Sequence, residues 1–118
     1  MKEKEIRCFD VWLAELPAPK GLHIQYGQCP VVVVSNEQAN MLGPVITVIP
    51  MTSKTEIDRL QTHVLLAVDG MNDISLGLCE QILTIDKNRL RHRIGRVSEP
   101  LDQSALLRGM AVQFGIVA

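Results

Sequence analysis

The side chains able to do chemistry stand well apart along this chain. Histidines occupy positions 23, 63 and 92, and cysteines positions 8, 29 and 79. The histidine spacing does not suit a metal, whose ligands come in closer sets. No two cysteines form a CxxC, so Cys8, Cys29 and Cys79 read as free thiols of a reduced compartment. There is neither a glycine-rich phosphate loop nor a Gly-x-Ser-x-Gly elbow. What remains are dispersed side chains, among them the hydroxyls Thr52 and Ser53 beside Pro50 and His23 in a long loop. Such groups can move protons near neutral pH and can contact a phosphate with no metal or cofactor.

Short strands and turns must position these groups. Phe9 to Leu16 is expected to be the first strand, with Trp12 and Leu16 on one face and Phe9, Val11 and Leu13 on the other. Residues 17–29 form a long loop, which carries His23 and Gln25. Pro30 opens the β-branched run Val31-Val32-Val33-Val34, and Ser35-Asn36 ends it. Val45 to Met51 is the next strand, and Pro50 within it predicts a bulge or an edge beside Thr52 and Ser53. Residues 54–61 read as a polar loop, Thr62 to Val68 as a strand, and Asp69 to Asp73 as a turn. Ile74 to Ile85 reads as a longer strand with a kink at Gly77. Asp86 as a cap and Gly95 as a stop predict a short helix between them, with Leu90 and Ile94 four residues apart. Ser98-Glu99-Pro100 starts a last helix, whose expected apolar face is Leu107, Met110, Ala111 and Phe114. Many short strands joined by turns suggest a small barrel in a single domain, 1–118.

Composition narrows the function classes. The chain has 118 residues, 47% of them hydrophobic but only 3% aromatic, so the core must be aliphatic. Net charge is −1, which argues against a sliding, non-specific nucleic-acid binder. Any RNA contact must use a local patch. Lys87, Arg89, Arg91, Arg93 and Arg96, together with His92, form such a basic stretch, read as one solvated helix face. The N-terminus lacks the apolar stretch of a signal peptide, and no run of about 18 apolar residues could span a membrane. A cytoplasmic protein is expected.

The order of five motifs resembles the MazF/PemK toxin family. Phe9-Asp10-Val11-Trp12-Leu13-Ala14-Glu15-Leu16 is similar to its opening strand, with Phe9 in place of the usual Gly. Gly27-Gln28-Cys29-Pro30 followed by valines and Asn36 is similar to Gly-x-Arg-Pro, with Cys29 where the arginine usually stands. Ile49-Pro50-Met51-Thr52-Ser53, Thr62-His63-Val64 and Cys79 to Leu90 resemble the remaining three. The match runs from about Phe9 to Gly95, with a looser fit through the last helix, and leaves residues 1–8 outside as an N-terminal extension.

The resemblance implies a mainly β fold, an SH3-like barrel with a short helix and a C-terminal helix, acting as a homodimer. It implies a metal-independent endoribonuclease, an mRNA interferase, that cuts single-stranded RNA at short sequences. The ribose 2′-OH attacks the adjacent phosphate, leaving a cyclic phosphate and a free 5′-OH. A cognate MazE-like antitoxin blocks the RNA groove, and DNA is met only through the antitoxin complex. By the same resemblance Thr52 would hold the scissile phosphate, Glu80 or His23 would exchange protons, and Cys29 occupies the position of the usual arginine. Gln25, Ser53, Lys54, Arg59, Gln81 and Arg89 would contact RNA. A thiol cannot replace a planar cationic guanidinium, and Ile24 stands where some members carry Glu. Two alternatives follow: a catalytically impaired dimer that binds RNA or antitoxin, and inhibition of a protein target such as gyrase, as by CcdB toxins that share the barrel.

Overall fold

The computed structural model describes residues 5–17, 23–57 and 59–118. Among them the chain forms strands β1 Asp10–Leu16, β2 Gly27–Val33, β3 Val45–Thr52, β4 His63–Leu66, β5 Ser75–Leu78, β6 Leu83–Asp86 and β7 Leu90–Arg96, and helices α1 Glu37–Leu42 and α2 Pro100–Gln113. The strand order is β4-β5-β3-β2-β1-β7, with β6 pairing separately on β3. Every pairing is antiparallel. Beyond β4, Asp69 exchanges two backbone hydrogen bonds with Arg96 of β7, at 2.9 and 3.0 Å. Among the described residues this is the bridge that joins the two edges of the sheet. The result is a mainly β, incompletely closed barrel with a C-terminal helix, as the sequence suggests.

The valine run is apolar on both faces because β2 separates two cores. On one face Val31 and Val33 pack with Trp12, Ala14, Leu16, Ile46, Val48 and Leu90. On the other Val32 packs with Val11, Ile49, Met51, Val64 and Leu106 of α2. Alternating side chains that both find apolar partners explain why a strand with no polar face is stable here. Ile6 joins the cluster of Trp12, Val31 and Val33, so the segment just before the motif match still packs into the fold. Phe9 takes φ 73°, the left-handed region where a glycine costs nothing and a phenylalanine is strained.

Several expectations change. The helix between Asp86 and Gly95 is instead a 3-10 turn, Lys87–Arg89, followed by β7. Leu90 and Ile94 are four apart, a spacing that fits a strand's period of two as well as a helix turn. The open edge of β1 supplies the backbone partners that decide between them. Gly95 caps nothing: a Cβ there would lie 1.6 Å from the Asp69 carbonyl oxygen, so glycine lets the barrel edges meet. The basic stretch is therefore not one helix face. Arg93 and Arg96 pair with the buried Asp10, at 3.4 and 3.2 Å, while the Arg91 guanidinium donates to the Asn88 carbonyl.

The short helix lies earlier, at α1, capped by the Asn36 side chain accepting from the Ala39 N–H at 2.8 Å. The long strand Ile74–Ile85 is broken into β5, a 3-10 turn at Cys79–Gln81, and β6. Gly77 does not kink it; the glycine leaves room for Leu66 and Leu106, which a Cβ would meet at 3.0 and 3.5 Å. On α2, Leu106 and Gly109 are buried and Ala105 and Met110 pack beside them, whereas Leu107 and Phe114 are exposed. Gly109 sets that face, because it lets the helix approach Cys79 closely.

Candidate functional site

Strands β2 and β3 pair Val31 with Pro50, Val32 with Ile49 and Val33 with Val48. Continued by two residues, this register sets Cys29 opposite Thr52. The position of the usual arginine is thus beside Thr52, but its side chain is buried. Cys29 is 7% exposed and packs with Trp12, Ala14 and Leu16. Burial pushes its thiol up from 9.0 to about 11, opposed by a hydrogen bond from the Met51 backbone. A neutral thiol in an apolar core is neither a phosphate-binding cation nor a nucleophile.

Thr52 ends β3 half-buried. Its Oγ1 accepts from the Lys54 N–H at 3.1 Å, so the hydroxyl hydrogen remains to donate outward. Ser53 and Lys54 follow on the exposed chain, and Arg59 is exposed further along the same segment.

Pro50 marks a break in the sheet, not a bulge. Strand β3 pairs with β6 over Val45–Val48 and with β5 over Met51 and Thr52. Ile49 and Pro50 lie between, with no strand on that side, where proline has no N–H to leave unpaired. The 3-10 turn Cys79–Gln81 packs against this break. It carries Glu80 and Gln81 to a level two or three residues along β3 from Thr52, roughly 7–10 Å at ~3.3 Å per residue.

Glu80 is held at both oxygens. The Thr62 hydroxyl donates to Oε1 at 2.9 Å, and the His63 ring meets Oε2 at 2.7 Å. His63 Nδ1 accepts from the Leu60 N–H at 3.2 Å, so the hydrogen sits on Nε2 and is donated to Glu80. The histidine side chain is only 6% exposed and the glutamate 26%. Sequence reasoning left Thr62 and His63 without a role, although they form one of the five motifs. Their pairing with Glu80 spans 17 and 18 positions and needed the β4–β5 register to appear.

Gln81 does not present its amide to solvent. Its Oε1 accepts from the Gln25 N–H at 2.8 Å, and its Nε2 donates to the His23 carbonyl at 3.0 Å. The side chain is a strut that ties the loop before β2 to the turn carrying Glu80. His23 itself is exposed on that loop, and Gln25 is half-buried. Residues 18–22 of the expected loop lie outside the described residues.

Arg89 is not brought to this place. Its neighbour Leu90 pairs with Ala14, and Ala14 pairs with Cys29. That puts it three strands from Thr52, on the order of 14 Å at ~4.8 Å per strand. Among the described residues no three His, Cys, Asp or Glu side chains gather as a metal site would require. No described helix is long and apolar enough to cross a membrane.

The thiols give one direct check. Cys29 and Cys79 are buried and their thiols are pushed up to about 11 and about 12, while Cys8 is only partly buried. At pH 8 a thiol reagent is expected to label Cys8 first, and the other two only after denaturant is added. In the unfolded chain these thiols ionise near 9.0, and in the folded chain they resist ionisation further. Their stabilising contribution is therefore complete below pH 9 and fades as pH climbs through about 11. Melting temperatures across that range, compared with a Cys29→Ala variant, measure it.

Comparison with known proteins agrees with the five motifs. A family model described as PemK-like, MazF-like toxin of type II toxin–antitoxin system matches residues 7–107. A protein named endoribonuclease MazF, from Staphylococcus saprophyticus subsp. saprophyticus, is 34% identical over 96 residues, covering 80% of this chain and 79% of its own length. The fold is similar to that of an endoribonuclease in complex with its cognate antitoxin from a mycobacterial species, with a TM-score of 0.76 at 20% identity, covering 96% of this chain and 98% of the other. It is also similar to MazF from Deinococcus radiodurans, with a TM-score of 0.73 at 18% identity and coverage of 92% and 94%. The match over residues 7–107 and the five motifs in their order show that the chain belongs to the PemK-like, MazF-like family of type II toxin–antitoxin toxins.

Proposed function

We propose that this toxin is an endoribonuclease that cuts single-stranded RNA at a short sequence by metal-independent 2′-OH attack. The observation that carries the reading is the anchored carboxylate of Glu80. The Thr62 hydroxyl and the His63 ring hold both its oxygens, on a turn that packs against β3, the strand that ends in Thr52, whose hydroxyl hydrogen is free to donate to a phosphate oxygen. Glu80 takes the 2′-OH proton, and its Thr62 and His63 bonds keep the carboxylate aimed. Thr52 steadies the charge that builds on the phosphorane, with Lys54 beside it on the exposed chain. Ser53, Lys54 and Arg59 track the RNA, and the exposed His23 supplies a proton to the leaving 5′ oxygen. The working unit is a homodimer in the cytoplasm, silenced by a cognate MazE-like antitoxin, and it meets DNA only through that complex.

The test is incubation of the purified chain with an unstructured RNA in EDTA. Fragments ending in cyclic phosphate, at one short motif, support the reading. Intact RNA at micromolar enzyme overturns it. Replacing Glu80 with Gln keeps the shape, and is expected to cut kcat about 100-fold if Glu80 is the base. Unchanged kcat would return Glu80 to a purely structural role.

A second reading is favoured by Cys29. With a neutral buried thiol at the arginine position, the chain could keep the groove as an RNA- or antitoxin-binding module without cutting. Growth separates the two: arrest on expression without the antitoxin supports the nuclease, and no arrest supports the module. Cys29→Arg places a cation opposite Thr52, but it must leave an apolar core to do so, so its melting temperature is measured with its activity.

A further inference from the structure

Tyr26 and Ile24 lie beside the strut formed by Gln81, and they are 60% and 53% exposed. The backbone that carries them is fastened. Gln81 binds the backbone on both sides of Ile24, at the His23 carbonyl and the Gln25 N–H. Gly27, at φ 71° with nothing within 4 Å of its would-be Cβ, then turns the chain into β2. Glycine is used there for its backbone conformation and not for space. The chain has one tyrosine, one tryptophan and two phenylalanines. Trp12 is buried and Phe9 is partly buried, while Phe114 is exposed at the end of α2, so Tyr26 is the exposed ring on the loop that Gln81 ties to the turn carrying Glu80.

Its placement matters. Tyr26 is three residues before Cys29, which lies opposite Thr52, so it stands within about 10 Å of extended chain from that level. The same 3-10 turn that carries Glu80 fixes its loop. We infer that Tyr26, with Ile24 beside it, is a stacking platform for an unpaired base next to the scissile phosphate. Single-stranded RNA offers unstacked bases, every base has a π-face, and a ring carried on a fastened backbone leaves less of the loop to be ordered on binding. Gln81 is then a positioning residue, acting on RNA through the loop it ties. This inference rests on the RNA reading of the site.

The test compares Tyr26→Ala, Tyr26→Phe and Gln81→Ala with the parent chain, by binding of a labelled unstructured RNA in a Thr52→Ala background and by KM and kcat in the parent background. Tyr26→Ala is expected to weaken binding and raise KM about 10-fold or more, with kcat within about 2-fold, while Tyr26→Phe stays within about 3-fold of the parent. Gln81→Ala is expected to raise KM in the same direction. The melting temperature of the Tyr26 variants should hold, since the ring is largely exposed. Unchanged RNA binding by Tyr26→Ala would overturn the platform, and so would a Tyr26→Phe defect as large as that of Tyr26→Ala. A parent chain that neither binds nor cuts RNA brings down the RNA reading itself, and the platform with it.

Discussion

Replacing Thr52 with Ala is expected to slow RNA cleavage at least about 100-fold, close to 2.7 kcal/mol of transition-state stabilisation. The hydroxyl is half-buried at the end of β3, its oxygen engaged by the Lys54 N–H and its hydrogen free. A donor fixed before the reaction begins needs no reorganisation as charge builds on the phosphate, so its loss falls on kcat more than on KM. Thr52→Ser keeps the donor and should retain most of the rate. Single-turnover cleavage of a short RNA reads both variants, with thermal melting to confirm that each folds. Equal cutting by Thr52→Ala would remove Thr52 from the mechanism.

Gly95→Ala should be the most damaging small change to stability, at about 3 kcal/mol, or a fall in Tm of roughly 10 °C. The added Cβ would sit 1.6 Å from the Asp69 carbonyl oxygen and 2.8 Å from its carbon. Both atoms are backbone, so nothing can swing aside. The two hydrogen bonds between Asp69 and Arg96 would have to open, and with them the only bridge between the sheet edges among the described residues. Gly115→Ala is the control. That glycine takes φ 72° with open space around it, so its substitution adds backbone strain without a clash and should cost about 1 kcal/mol. Denaturant melts of both variants give the comparison. Equal losses would mean that the seam at Gly95 yields.

Much of the architecture was legible in the chain because local signals and tertiary outcome agreed. The strand ending at Thr52 and the helix opened by Glu99-Pro100 stand within a residue or two of their expected limits, and the valine run forms β2, which begins earlier, at Gly27 within the stretch expected to be loop. The misreadings share a cause. Leu90 and Ile94 satisfy helix and strand spacing alike, and Ile74 to Ile85 looks continuous because its apolar character never lapses. In both places the decision lay with a distant partner: β1 needed a strand on its open edge, and β3 pairs with β5 at one end and β6 at the other. The α2 face was misjudged because Gly109 carries no side chain to mark it, though it is where the helix comes closest to the sheet.

The sequence by itself determined the family, since five motifs in order survive without any knowledge of contacts, and it determined that Cys29 has no charge to offer. It also named Thr52, Glu80 and Gln81. Only the tertiary structure decided where each one stands and what it touches. The β2–β3 register set Cys29 opposite Thr52 with its thiol in the core, the sheet break at Pro50 brought Glu80 to the same end of the barrel, and the β4–β5 pairing gave Glu80 the hydrogen bonds of Thr62 and His63. Gln81 became a strut for the loop that exposes Tyr26. Residue type is local, whereas a hydrogen-bond partner 17 or 56 positions away is settled by how the barrel closes.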